Sequence, residues 1–172
     1  IEEEKNIGRT IKKLLPIKDN VSRKVKQQYE MYPYPRWNSN FKKAYISYMD
    51  FLRKEYPHIR PIEIKDILIA GSGTGKHPIT VACFAGKVKI DAIDLSLKSL
   101  SYGKRKSKEH SIDNIDWYEG DILELDKIDK KYDIIESVGV LHHLENPKKG
   151  LESLKNVLKD DGLMNIMVYG KY

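Results

Sequence analysis

The chain has 172 residues, of which 40% are hydrophobic and 33% charged, with a formal net charge of +6. This length allows one domain with a substantial core, and the absence of an apolar run of about 20 residues argues against a membrane span. The single cysteine, Cys83, excludes an internal disulfide and favours a cytoplasmic location, while the dispersed lysines and arginines favour a solvated surface over a nucleic-acid footprint.

Residues 1–60 are predicted to form a helical extension with two helices, Val21–Met31 and Asn40–Tyr56. The segment Tyr32–Trp37 between them carries two prolines, which favour an extended path. Its larger side chains could either cover a bound ligand as a lid or anchor the extension to the rest of the chain: Tyr34, Arg36 and Trp37. The acidic start without methionine indicates a piece cut from a longer chain.

Residues 61–172 alternate short apolar runs with amphipathic segments, which is typical of βαβ units. The predicted strands are Ile64–Ala70, Val88–Ile93, Ile115–Tyr118, Tyr132–Ser137 and Gly162–Tyr169. The predicted helices are Thr74–Phe84, Leu97–His110 and Pro147–Leu158. We therefore expect an α/β fold, a doubly wound, Rossmann-like and mostly parallel sheet in three αβα layers.

This interpretation ends the chain after the fifth strand and leaves one edge of the sheet exposed. Exposed edges tend to pair, so we expect a homodimer through this edge, or else a chain without catalytic competence.

A glycine-rich turn follows the first strand. Its residues are Gly71, Ser72, Gly73, Thr74 and Gly75. Alternate glycines let the backbone approach a ligand closely, and N–H groups at the start of the next helix can point toward it. The turn predicts a nucleotide-like ligand at the carboxyl edge of the sheet, although it could also be a simple tight connection.

Asp94 ends the second strand, roughly 20 residues after the glycines, where an acidic side chain can accept hydrogen bonds from both ribose hydroxyls. Asp94 could instead cap the following helix, a role that Ser96 fills equally well. Asp91, earlier on the strand, is the weaker candidate.

After the third strand, Asp121 could accept from an exocyclic amine of adenine while the Ile122 N–H donates to a ring nitrogen. An ordinary turn is the alternative at this position. The segment Glu136–Leu144, at the end of the fourth strand, completes the set of motifs at the same edge of the sheet.

The motifs GSGTG, IDLS, GDIL and VGVLHHL, in this order and spacing, resemble the class I S-adenosylmethionine-dependent methyltransferases over Asp66–Tyr169. Dinucleotide-binding folds usually have their third glycine one position later, where this chain has Lys76. A closer resemblance is to bacterial methyltransferase domains that often follow tetratricopeptide repeats, because Gln28–Trp37 and Asp94–Lys106 match their PYPRW segment and second helix.

The resemblance implies S-adenosylmethionine as the cofactor, S-adenosylhomocysteine as the product, and no metal. It assigns Gly71, Ser72, Gly73, Thr74 and Gly75 to the methionine and ribose, Asp94 with Leu95 to the ribose, Asp121 with Ile122 to adenine, and the backbone of Ser137, Val138 and Gly139 to the methionine amino group. His142 and His143 are the candidate bases if the acceptor must lose a proton, or they only shape their loop.

The acceptor is predicted to be a small molecule. No Asn-Pro-Pro-Tyr motif follows the fourth strand, which counts against methylation of an exocyclic base amine or a glutamine amide. No cysteine is placed to attack a pyrimidine ring either. Two alternatives stay open: a cofactor-binding sensor or scaffold without catalysis, and an RNA methyltransferase. A dehydrogenase is disfavoured because a second substrate domain would have too few residues.

Overall fold

The computed structural model describes residues 2–42, 44 and 46–170 of the chain. Its α-helices are α1 (Glu2–Gly8), α2 (Asn20–Met31), α3 (Tyr48–Glu55), α4 (Lys76–Ala85), α5 (Leu97–Glu109) and α6 (Pro147–Asn156). Its strands are β1 (Lys12–Lys13), β2 (Asp66–Ala70), β3 (Lys89–Asp94), β4 (Ile115–Glu119), β5 (Tyr132–Val138) and β6 (Leu158–Met167). Two 3₁₀ turns, Ile122–Lys127 and Leu141–His143, follow β4 and β5.

The strands form one sheet in the order β1-β4-β3-β2-β5-β6, and each pair of neighbours is parallel. From β2 the chain moves outward through β3 and β4, and it then returns to place β5 and β6 on the other side of β2. This confirms the predicted doubly wound α/β fold. The reversal beside β2 opens a crevice at the carboxyl ends of the strands, which is where such folds bind their ligands.

Within the described residues the sheet has six strands, so the prediction that it stops after its fifth strand is wrong. The additional strand is β1, which comes from the N-terminal extension and pairs with Tyr118 and Glu119 of β4. Two exposed lysines carry no apolar alternation, and a sequence pattern therefore cannot reveal this strand. At the other edge lies β6, which begins at Leu158 because a register shift relative to β5 extends its pairing. Self-association through that edge stays a prediction.

The predicted helix Asn40–Tyr56 is wrong in its first half, since α3 begins only at Tyr48. The Ala44 N–H donates to the Cys83 carbonyl at 2.9 Å, so this stretch is bonded to the end of α4 instead of to a helix of its own. Ser47 then caps α3 by accepting the Asp50 N–H at 3.1 Å. Lys43 and Tyr45, which the prediction also included, lie outside the described residues.

Alternate residues of β2 divide the core between the two faces of the sheet. Ile67 and Ile69 belong to a cluster with residues of α3, α4 and α5, whereas Leu68 belongs to a cluster with Leu154 of α6. Trp37 of the extension packs into the first cluster. The predicted three layers are thus present, and the extension completes one of them.

Gly75 sets where α4 begins. Its φ of +85° is left-handed, and a Cβ at this position would lie 2.7 Å from both the Gly103 Cα and the Trp117 ring. The helix therefore starts at Lys76 and not at the predicted Thr74.

We expect Gly75→Ala to lower the free energy of unfolding by about 1–3 kcal/mol more than Gly86→Ala does, because only the first change forces overpacking. Gly86 is the matched control, since its φ is also positive and a Cβ added there would have nothing within 4 Å. Urea denaturation of both variants checks this, and equal losses would contradict close packing of α4 on α5.

Candidate functional site

A cavity of about 740 Å³ lies at the carboxyl edge of the sheet. It is lined by predicted site residues that follow β2, β3, β4 and β5: Gly71, Ser72, Gly73, Asp94, Leu95, Asp121, Ile122, Val138, Gly139, His142 and His143. The fold thus brings together most of the residues that the motifs singled out, although they come from four separate strand ends.

The glycine-rich turn is fixed to β3 by a side chain. The Gly73 N–H donates to Asp94 Oδ2 at 2.8 Å. A Cβ on Gly71, whose φ is +80°, would lie 2.3 Å from Val140 Cγ2, so only glycine fits between β2 and the loop after β5. The turn is therefore held close to the cavity wall with its backbone exposed to a ligand.

Asp94 is half-buried and accepts a second backbone hydrogen bond, from the Ser96 N–H to Oδ1 at 2.8 Å. The cap of α5 is Ser96, whose Oγ accepts the Ser99 N–H at 3.1 Å. Burial raises the pKa of Asp94 above its ordinary value, and the N–H groups of Ser96 and Gly73 oppose that shift. The carboxylate is thus rigidly held, with acceptor capacity left over at the cavity.

Several polar atoms around the cavity lack a hydrogen-bond partner within the part of the chain that the structure describes. They are Ser22 Oγ, Ser72 Oγ, Asp121 Oδ2 and His142 Nδ1. The other oxygen of Asp121 accepts the Leu123 N–H at 3.0 Å. Unpaired buried polar atoms are costly, so this wall suits a ligand that carries complementary donors and acceptors, as an adenosine does.

His142 and His143 form the 3₁₀ turn after β5, with their ring centroids 4.1 Å apart. The Tyr29 hydroxyl lies 3.5 Å from His143 Nε2. Burial, together with the neighbouring His142, lowers the pKa of His143. His143 is therefore a neutral imidazole near pH 7, the form that can accept a proton.

Different residues of the segment Tyr32–Trp37 fit the two roles predicted for it, a lid over the ligand and an anchor for the extension. Tyr34 lines the cavity, whereas Trp37 is buried in the core and its Nε1–H donates to the Thr74 carbonyl at 3.1 Å. Arg36 is exposed and lies outside the cavity lining.

Three other predicted site residues are also absent from the lining: Thr74, Gly75 and Ser137. The Thr74 hydroxyl donates to the Pro35 carbonyl, and the Ser137 side chain is fully buried in β5. Thr74 thus holds Pro35, which lines the cavity, in place.

Sequence reasoning missed several lining residues, among them Ser22, Val25 and Tyr29 of α2, and Lys76, His77 and Thr80 of α4. The signal for Tyr29 was present, since it belongs to the motif that runs into PYPRW. His77 directly follows the glycine-rich turn, but nothing in the local pattern says which way its side chain points.

The described part of the chain contains neither a metal-binding cluster nor a membrane-spanning helix. No set of three or more His, Cys, Asp or Glu side chains within residues 2–42, 44 and 46–170 is arranged to hold a metal ion. No helix in the same ranges combines the length and apolarity needed to cross a membrane.

A family model described as "Methyltransferase domain" matches residues 67–162. An uncharacterized protein from Synechococcus sp. is 29% identical over 167 residues, which cover 89% of this chain and 38% of that protein. The demethylmenaquinone methyltransferase of Porphyromonas gingivalis is 29% identical over 111 residues, covering 63% of this chain and 45% of the enzyme.

Among solved structures, that of PKMT2 from Rickettsia typhi in complex with AdoHcy is 27% identical with a TM-score of 0.60, covering 76% of this chain and 26% of that one. The chain spans less than half the length of the two curated relatives. Because the family model covers more than half of the chain, the protein belongs to the methyltransferase domain family, within class I of the S-adenosylmethionine-dependent methyltransferases.

Proposed function

We propose that the protein transfers a methyl group from S-adenosylmethionine to a small-molecule acceptor in the cavity and releases S-adenosylhomocysteine. The observation that carries this proposal is the pair of carboxylates at the ends of β3 and β4. Asp94 keeps acceptor capacity at the cavity, and Asp121 Oδ2 lacks a partner among the described residues. Two separated acceptors suit the ribose hydroxyls and the amine of adenine.

In this proposal the cavity residues bind the cofactor in three parts. Asp94, beside Leu95, accepts the ribose hydroxyls, and Asp121 with the Ile122 N–H binds adenine. The glycine-rich turn lies against the ribose and methionine, while the backbone of residues 137–139 meets the methionine amino group. The close approach that glycine permits at Gly71 supports this arrangement.

The cofactor supplies a reactive sulfonium methyl group, so the protein mainly has to align an acceptor and exclude water. Tyr29 and Tyr34 contribute walls from the extension, and His142 and His143 stand at the end of β5. We propose His143 as the proton acceptor for a nucleophile that must lose a proton, because its lowered pKa keeps the ring neutral. Trp37 would then act by holding the lid segment and not by touching the acceptor.

Cofactor affinity should depend on the protonation of Asp94. Its pKa is raised by burial, so on acidification the carboxylate gains its proton at a higher pH than an ordinary aspartate does. Because protonation removes an acceptor, affinity for S-adenosylhomocysteine should fall as the pH drops through that raised pKa. Calorimetric titrations with S-adenosylhomocysteine from about pH 8 down to pH 4 measure this dependence of affinity on pH.

The matched control for this pH dependence is Asp94→Asn, which cannot titrate. We expect the variant to bind weakly at every pH and to lose the acid limb of the profile. If wild type and variant lost affinity with the same midpoint, the titrating group would not be Asp94.

The acceptor class can be tested with the full-length protein, S-adenosylmethionine and a panel of small hydroxyl, carbon and amine nucleophiles, by measuring S-adenosylhomocysteine release. The proposal expects release with a small molecule. Methylation of RNA with strongly salt-dependent affinity would show instead that the acceptor is RNA. Tight cofactor binding without release across both panels would indicate a sensor or scaffold.

We also propose that the domain belongs to the subgroup associated with tetratricopeptide repeats. The PYPRW segment supports this, since its Trp37 and Tyr34 make distinct contacts with the core and the cavity. Repeats in the full-length sequence would be the direct test.

A further inference from the structure

A buried polar cluster is centred on Glu136 of β5, whose side chain is 0% exposed, and it reaches the cavity through His77. The Tyr48 hydroxyl donates to Oε1, and the Asn165 amide donates to Oε2 at 2.8 Å. His77 Nε2 lies 3.3 Å from the same Oε2. A buried carboxylate is costly unless its oxygens are hydrogen-bonded, so three elements, α3, α4 and β6, each contribute a donor.

His77 connects this cluster to the cavity. It lines the cavity, and its side chain is 37% exposed, in contrast to the fully buried Glu136. An ionised carboxylate only accepts hydrogen bonds, so the Nε2 that faces it must carry the proton. Nδ1 is therefore the nitrogen of His77 left for a ligand.

The position of His77 relative to the strands of the sheet indicates which part of a ligand it meets. Asp94 ends β3 and Asp121 follows β4, both on one side of β2, whereas Glu136, which holds His77, belongs to β5 on the other side. A nucleoside held by the two aspartates would extend its substituent across β2 toward β5. The substituent of S-adenosylmethionine is an amino acid, which ends in a carboxylate and an amine.

The polar side chains that line the cavity agree with this orientation of the ligand. Carboxylates lie at the β3 and β4 ends, while Lys76 and His77, adjacent in the chain, line the cavity from the start of α4. By donating from both ring nitrogens, an imidazole placed between the Glu136 carboxylate and a ligand carboxylate can bridge the two. Such charge-assisted hydrogen bonds are about twice as strong as neutral ones.

We propose that His77, oriented by Glu136, binds the carboxylate of the amino-acid end of S-adenosylmethionine through Nδ1. The inference rests on the proposed cofactor site and adds a residue that the motifs did not assign. His77 touches the cofactor in this account, and Glu136 is a positioning residue that acts through it.

The test compares two ligands that share the nucleoside and thioether, S-adenosylhomocysteine and 5′-methylthioadenosine, of which only the first has the amino acid. In calorimetric titrations, His77→Ala should weaken the affinity for S-adenosylhomocysteine about tenfold and change the affinity for 5′-methylthioadenosine by less than about twofold. His77→Gln keeps a neutral donor, so its affinity for S-adenosylhomocysteine should lie between those of wild type and His77→Ala. His58→Ala is the control, because His58 is exposed and outside the cavity lining, and it should change neither ligand.

Glu136→Gln supplies the readout for the positioning role. Like His77→Ala, it should weaken the binding of S-adenosylhomocysteine more than that of 5′-methylthioadenosine and so lower the ratio of the first affinity to the second. A thermal unfolding curve separates this effect from a loss of stability. A purely structural role would weaken both ligands equally and leave the ratio unchanged, which would overturn the role of Glu136.

Each remaining outcome is decisive. If His77→Ala weakened both ligands equally, or neither, the carboxylate contact would be wrong while the cofactor site stood. If wild type bound neither ligand, the proposed cofactor site itself would be wrong, and the inference would fail with it.

Discussion

Trp37→Ala should lower the free energy of unfolding by about 3–5 kcal/mol, as is usual for truncating a buried tryptophan. Trp37 is 7% exposed and packs edge-on against Phe41 and Tyr102, with ring centroids 5.2 and 5.9 Å away. The change also removes the Nε1–H bond to the Thr74 carbonyl. Urea denaturation measures the loss.

The same variant should weaken cofactor binding, because Tyr34 and Pro35 line the cavity just before this anchor. Trp37→Phe keeps an aromatic ring but removes the N–H donor, and it should cost about 1 kcal/mol in stability from the lost hydrogen bond. Tyr34→Ala, at a side chain 69% exposed, should leave stability within about 0.5 kcal/mol. A loss below about 1 kcal/mol for Trp37→Ala would mean that the extension is not docked.

Asp94→Ala should weaken the binding of S-adenosylhomocysteine on the order of 100-fold, since it removes the proposed acceptor for two ribose hydroxyls at about 1.5 kcal/mol or more each. The change also frees the Gly73 N–H, which now fixes the glycine-rich turn at 2.8 Å. Calorimetry gives the affinity, and thermal unfolding reports the stability lost when the turn is no longer fixed by Asp94.

Asp113→Ala is the matched control for Asp94→Ala, because Asp113 is an exposed aspartate outside the cavity lining. It should leave the affinity unchanged. Equal affinities for wild type and the Asp94 variant would remove the ribose contact from the account.

The sheet core could be predicted because each buried strand contains apolar residues in a short segment between turn residues. Asp66–Ala70 and Tyr132–Val138 are examples, and both are found close to their predicted bounds. Strand β1 could not be predicted, since Lys12 and Lys13 pair through their backbone while their side chains stay exposed. The first half of the predicted helix Asn40–Tyr56 failed because a long-range backbone bond competes with the helix there.

The residues of the proposed cofactor site could be predicted because parallel strands bring short local motifs to one edge of the sheet, so that Gly73 and Asp94 meet although they lie 21 positions apart in the chain. Contacts that join distant elements were not visible. Examples are the bond from Trp37 to Thr74 and the contact between His77 and Glu136, which are set by the packing of α4 and the extension on the sheet. The sequence pattern therefore left the roles of the PYPRW segment open.

The most direct measurement is a calorimetric titration of the protein with S-adenosylhomocysteine, with NAD as the control ligand. We expect one molecule to bind per chain, no binding of NAD, and competition between S-adenosylhomocysteine and S-adenosylmethionine for the same site. Binding of NAD in preference to S-adenosylhomocysteine, or failure of the full-length protein to bind S-adenosylhomocysteine, would contradict the assignment of this cavity as the cofactor site.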